Sequence, residues 1–121
     1  YAIHPFKATK IPIWIGDYVL ASYGTGAVMS VPCGDQRDWS FATQFKINIP
    51  NIFKDKNISE AAYVEKDAII TNSDFLNDLT VKKATKLAIY EIEKKGFGKG
   101  KNLWTVLGLA ARSLGSERMN V

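Results

Sequence analysis

Residues 23–42 read YGTGAVMSVPCGDQRDWSFA, which places a glycine turn, a short apolar strand, a Pro-Cys-Gly corner and an acid-led helix in immediate succession. Gly24 and Gly26 permit positive φ or a close backbone approach, while Ala27, Val28, Met29 and Val31 suit a buried strand. Pro32 and Gly34 end that strand, and Asp35 is placed to cap the helix that follows. Asp38 falls in the first turn of the same helix, so both carboxylates lie near unpaired backbone N–H groups at the strand's exit. A junction built this way can line a polar pocket.

The flanking sequence supplies the rest of a small domain. Residues 11–21, IPIWIGDYVLA, alternate apolar and β-prone side chains and predict an irregular or edge strand, because Pro12 and Gly16 disfavour a central one. Residues 27–31 form the next predicted strand. Residues 36–45 predict a helix with Trp39, Ala42 and Phe45 on one core-facing side. Residues 47–53 fit an edge strand or extended loop, and residues 57–67 a loop with a helical turn. A brief strand over 68–71 and a turn at Asn72, Ser73 and Asp74 follow. Thr80 is then a helix N-cap, and Val81, Ala84, Ala88 and Ile92 make an apolar stripe in a helix that ends with Lys94 and Lys95 before Gly96. The GFGKGK segment at 96–101 lacks the spacing of a phosphate-binding P-loop and reads as the helix exit.

The chain has a formal net charge of +4, and Lys82, Lys83, Lys86, Lys94, Lys95, Lys99 and Lys101 concentrate much of its basic character late in the sequence. Such lysines commonly solvate a helical face and are also compatible with contact to nucleic-acid phosphate. The single cysteine, Cys33, excludes an internal disulfide and a cysteine-rich zinc site, which fits a reducing cytoplasm. The single histidine, His4, sits in a loop-like HPF segment, so no Cys-His nucleophile pair is visible and no metal-ligand cluster is predicted. No apolar run approaches the roughly 20 residues of a membrane span, and no membrane partner is expected.

The run at 23–42 resembles the signature Y-G-T-G-A-[VI]-M-A-V-P-x-x-D-x-R-D-[YWF]-x-F-A of the editing domain inserted into leucyl-tRNA synthetases, departing from it mainly at Ser30 and Gly34. IPIWIGDYVLASYGTG resembles the strand leading into that signature, and PNIFKD, ITNSDFLNDL and KKATKLAIYEIEKKGFGKGK resemble its continuation. The resemblance covers residues 1–101 and implies a partial editing domain: an α/β unit of mixed or antiparallel strands with packed helices, part of a class I synthetase. It also implies a cytoplasmic parent enzyme that attaches leucine to its tRNA with ATP and Mg2+ in a separate catalytic core. This region would need no cofactor and would contribute to hydrolytic removal of a wrong amino acid from the tRNA 3′ end.

Editing needs a group that holds the substrate's cationic amine, and by resemblance that group is Asp38, the catalytic-site residue of this chain. Asp35 is then a cap that shapes the loop, with a secondary place in the pocket. The resemblance further makes Met29 and Val31 candidates for the amino-acid pocket, and Tyr23 and Thr25 candidates for the adenosine or the pocket mouth. Gly34 stands where many relatives carry histidine. Two alternatives are the editing domain of an isoleucyl- or valyl-tRNA synthetase and a noncatalytic tRNA-binding or structural remnant.

The family's T-T-R-P-D-T, H-I-G-H and K-M-S-K-S segments do not occur in these 121 residues, so the chain alone is expected to be inactive. Residues 102–121, NLWTVLGLAARSLGSERMNV, diverge from the family's L-R-D-x-x-x-S-R-Q-R-Y-W-G continuation. Codons compatible with residues 109–112, read one base earlier, spell Phe-Ser-Arg-Gln from that continuation, although the match stops at the next codon. Two expectations follow for residues 102–121: a divergent tail that leaves the family's reading frame near Asn102, or a lineage-specific or non-native tail.

Overall fold

The chain reverses between residues 4 and 9, where the His4 N–H donates to Thr9 O at 2.8 Å and the Ala8 N–H returns to His4 O at 2.9 Å. This turn pairs β1 (Ala2–Ile3) with β2 (Lys10–Ile11) antiparallel, Ala2 opposite Ile11 and Ile3 opposite Lys10. In this computed structural model residues 1–100 and the backbone of 119–120 are described. The predicted divergent tail at 102–121 lies outside the described residues, apart from that backbone pair.

The strand predicted over 11–21 is not formed beyond Ile11. Pro12 has no amide hydrogen to give a ladder, and no described segment pairs with residues 12–21. Ile13, Trp14, Ile15 and Leu20 are consequently exposed. The strand predicted over 27–31 is likewise shorter: β3 (Val28–Met29) pairs antiparallel with β4 (Met119–Asn120), Val28 opposite Asn120.

Helix α1 (Gln36–Gln44) begins at its Asp35 cap, and Phe45 is its C-cap. Ala42 is buried and Trp39 half-buried, but Phe45, predicted to face the core, is 52% exposed. Its ring instead packs at a tilt against Phe41, with centroids 4.6 Å apart, and against Trp14 at 5.8 Å. The reason is positional: helical periodicity cannot fix the direction of a side chain at the cap, where the helix stops. The stretch 57–67 contains bends and no helical turn.

Residues 47–53 and 68–71 meet through an antiparallel bridge between Phe53 and Ile70, and Ile69 bridges Thr80. A 3-10 turn, Asp74–Leu76, lies between them and α2 (Val81–Lys94). Thr80 caps α2 by accepting the Lys83 N–H at 3.3 Å, and Gly96, at φ 73°, lies just past the C-cap Lys95.

Among the described residues the architecture is a small mixed unit of short antiparallel pairs and two α-helices. Its core joins Val31 and Cys33 of the corner to Phe53, Ala68, Ile70, Leu76, Val81 and Ala84. Phe53 and Ile70 are 1% and 0% exposed, and truncation of a buried phenylalanine costs roughly 3–5 kcal/mol. That is a large share of a small domain's total stability. The corner before α1 is therefore anchored in this core through Val31 and Cys33.

Candidate functional site

Val31 O accepts the N–H groups of Gly34 at 2.9 Å and Asp35 at 3.0 Å, which closes the Pro-Cys-Gly corner into a tight turn. Asp35 leaves that turn in an extended conformation, φ −121° and ψ 123°, and its Oδ1 accepts from Arg37 N at 2.8 Å and Asp38 N at 3.1 Å. Its other oxygen lies 3.7 Å from the exposed Arg37 guanidinium. Asp35 is thus the N-cap of α1, held by two backbone amides that the helix itself cannot pair.

Asp38 is 4% exposed and occupies both carboxylate oxygens. Oδ2 accepts the Val31 N–H at 3.0 Å, and Oδ1 accepts the Tyr18 hydroxyl at 2.7 Å. Val31, Asp35 and Asp38 therefore form one hydrogen-bonded unit between the strand exit and the first turn of α1. An isolated carboxylate at this burial would be costly; the Val31 amide, the Tyr18 phenol and the positive end of the helix offset that cost. The result is an acceptor of fixed orientation, with further lone-pair positions on the same oxygens.

The remaining predicted residues have different settings. Val31 is 8% exposed and packs in the core, while Met29 is half-buried in β3. Tyr23 belongs to the turn over 20–26, donating its N–H to Leu20 O and accepting from Gly26 N, each at 3.0 Å. Gly26 has φ 85°, and an added Cβ would lie 3.1 Å from Ala21 O, so this turn requires glycine. Thr25 is exposed, and its hydroxyl exchanges hydrogen bonds with Ala27 N and O at 3.4 and 3.3 Å.

Sequence reasoning missed Tyr18, whose ring packs 5.6 Å from Phe41. A Cβ at Gly16 would come within 2.9 Å of Tyr18 Cε1, so glycine makes room for the ring. It also missed a clasp on the corner: Trp39 Nε1 donates to Ile58 O at 2.9 Å, Ala62 N to Gln36 Oε1 at 3.0 Å, and Tyr63 N to Cys33 O at 2.9 Å. An indole N–H on a half-buried face needs an acceptor, which was the available signal.

Cys33 is 3% exposed, and burial pushes its thiol up from its ordinary range, which disfavours the thiolate a nucleophile requires. Among the described residues no group of three or more His, Cys, Asp or Glu side chains could hold a metal ion. An open groove lined by Tyr1, Pro12, Ile13 and Trp14 includes none of the predicted site residues. No described helix is long and apolar enough to cross a membrane.

A family model described as leucyl-tRNA synthetase, editing domain, matches residues 1–93. The chain belongs to that family. The leucine–tRNA ligase of Christiangramia forsetii is 58% identical over 102 residues, 84% of the chain, and that of Flavobacterium johnsoniae 60% identical over 107 residues, also 84% of it. The leucine–tRNA ligase of Amoebophilus asiaticus is 47% identical over 104 residues, 86% of the chain. In each case the chain spans 11% of the relative's length. The editing-domain match contains the whole corner and α1, so the buried carboxylate pair lies inside the matched region.

Proposed function

We propose that this chain is part of a leucine–tRNA ligase and forms one wall of the site that hydrolyses mischarged tRNA. In that reaction water adds to the ester carbonyl, the bond to the ribose oxygen breaks, and free amino acid and uncharged tRNA leave. Asp38 serves as the anchor for the substrate's α-ammonium. The observation that carries this reading is the two-point fixation of its carboxylate by Val31 N and Tyr18 OH. An acceptor already oriented loses little freedom when a cation arrives, and charge-assisted hydrogen bonds are the strong ones.

Asp35 supports the anchor by fixing the helix start. Met29 and Val31 contribute the apolar side of the amino-acid pocket, Val31 from within the core, and Tyr23 and Thr25 border the adenosine end. Residues 1–101 constitute the partial editing domain, of the class I synthetase type, and residues 102–121 a divergent tail, out of the family's frame or non-native. ATP and Mg2+ act in the catalytic core of the cytoplasmic parent, and the 121-residue chain alone turns over little or no mischarged tRNA. The names of the relatives favour leucine over isoleucine or valine as the parent's amino acid.

The test is deacylation of mischarged leucine tRNA by an intact ligase carrying these residues. Replacing Asp38 by Ala or Asn should lower hydrolysis roughly 10- to 100-fold, the worth of one charge-assisted hydrogen bond. Leucylation in the same preparation reports whether the protein is folded. Unchanged deacylation in both variants rules out Asp38 as the anchor.

A further inference from the structure

We infer that Tyr18 is a positioning residue for editing: its hydroxyl holds the Asp38 carboxylate in the orientation that receives the substrate ammonium. This rests on the reading of Asp38 as the amine anchor. The hydrogen bond is 2.7 Å long, joins residues twenty apart in sequence, and ends on a carboxylate that is 4% exposed.

Packing alone does not call for this hydroxyl. The Tyr18 ring lies against Phe41, which in turn meets Trp14 edge-on at 6.0 Å, and a phenylalanine would fill the same aromatic cluster. Helix capping does not call for it either, since Asp35 already accepts the Arg37 and Asp38 amides. What the hydroxyl adds is a second point of attachment for Asp38, whose other oxygen is held by Val31 N. One attachment leaves a carboxylate free to turn about its terminal torsion, which is broad and roughly two-fold; two attachments fix it. With two bonds made, about two of the roughly four acceptor positions of the carboxylate remain for an ammonium. Gly16 completes the device, because a methyl there would meet the Tyr18 ring at 2.9 Å and displace it.

The test compares a free-amine mischarged aminoacyl-tRNA with its N-acetylated form, which carries no ammonium, in an intact ligase bearing these residues. The wild type should prefer the free amine. Tyr18→Phe should reduce that preference roughly tenfold, mainly through KM, as expected for loss of about one hydrogen bond's worth of alignment. Gly16→Ala, which keeps the hydroxyl and moves the ring, should reduce it in the same direction, and Tyr18→Phe should add nothing in an Asp38→Asn background. If Asp38→Asn abolishes the preference while Tyr18→Phe and Gly16→Ala retain it, the positioning role is overturned and the anchor stands. If the wild type shows no preference, or Asp38→Asn keeps it, the anchor falls and the positioning role with it. Equal losses on both substrates in Tyr18→Phe would show a structural role only and overturn the proposal.

Discussion

The indole N–H of Trp39, the fourth residue of α1, donates to the carbonyl of Ile58 at 2.9 Å and ties the helix to the loop beyond residue 57. Together with Ala62 N on Gln36 Oε1 and Tyr63 N on Cys33 O, it clamps that loop over the corner that carries Asp35 and Asp38.

Trp39→Phe should therefore destabilise the protein by about 1–2 kcal/mol, since it leaves the Ile58 carbonyl without its donor and removes part of a half-buried ring. The loss is read as a lower denaturant midpoint. Amide exchange at Ala62 and Tyr63 should also accelerate, because the clasp opens locally before the core does. Unchanged exchange at both amides would show that the indole does not hold the loop.

The contrast between capping and these long contacts explains what the sequence could reveal. Asp35 and Thr80 were legible because a cap joins groups two or three residues apart, so spacing alone announces it. The bonds from Tyr18 to Asp38 and from Trp39 to Ile58 span 20 and 19 residues, and no local pattern encodes them. Residues 11–21 mislead for a related reason. Alternation records which side chains would share a face of a strand, whereas pairing requires a second strand to meet it, and Ile13 and Ile15 find none among the described residues. The acid-led corner itself is recognisable as a polar junction, but the burial of both carboxylates, and the phenol that holds one of them, arise from contacts between segments distant in sequence.

Helix α2 carries no acid in its first turn; Lys82 and Lys83 are exposed there, and Lys86, also exposed, lies one turn beyond Lys82. Among the described residues none of the three forms an ion pair. Positive charge at a helix start opposes the macrodipole, and like charges four residues apart repel. Lys83→Glu reverses the charge three residues after the Thr80 cap, where glutamate favours a helix start. The variant should be about 0.5–1 kcal/mol more stable at low salt, and the gain should shrink as salt is raised. Thermal melts at two ionic strengths check this, and a salt-independent or negative change contradicts the electrostatic account.

His4 gives the protein a pH dependence of defined sign. Its Nδ1 accepts the N–H groups of Phe6 at 3.2 Å and Lys7 at 3.3 Å, a role open only to the unprotonated nitrogen. Burial first, and then the nearby Lys7 ammonium, hold its pKa below the ordinary histidine value, with Asp74 opposing them. The unfolded chain therefore binds a proton at a higher pH than the folded one. The stabilising contribution is fully present above about pH 6.5, the unperturbed value, and is lost as pH falls through the lower folded pKa. Denaturant midpoints should thus decline on acidification from pH 7.5 to 5. His4→Asn, which retains a side-chain acceptor and cannot titrate, should flatten the decline over that window. An equally steep decline in the variant would place the titrating group elsewhere.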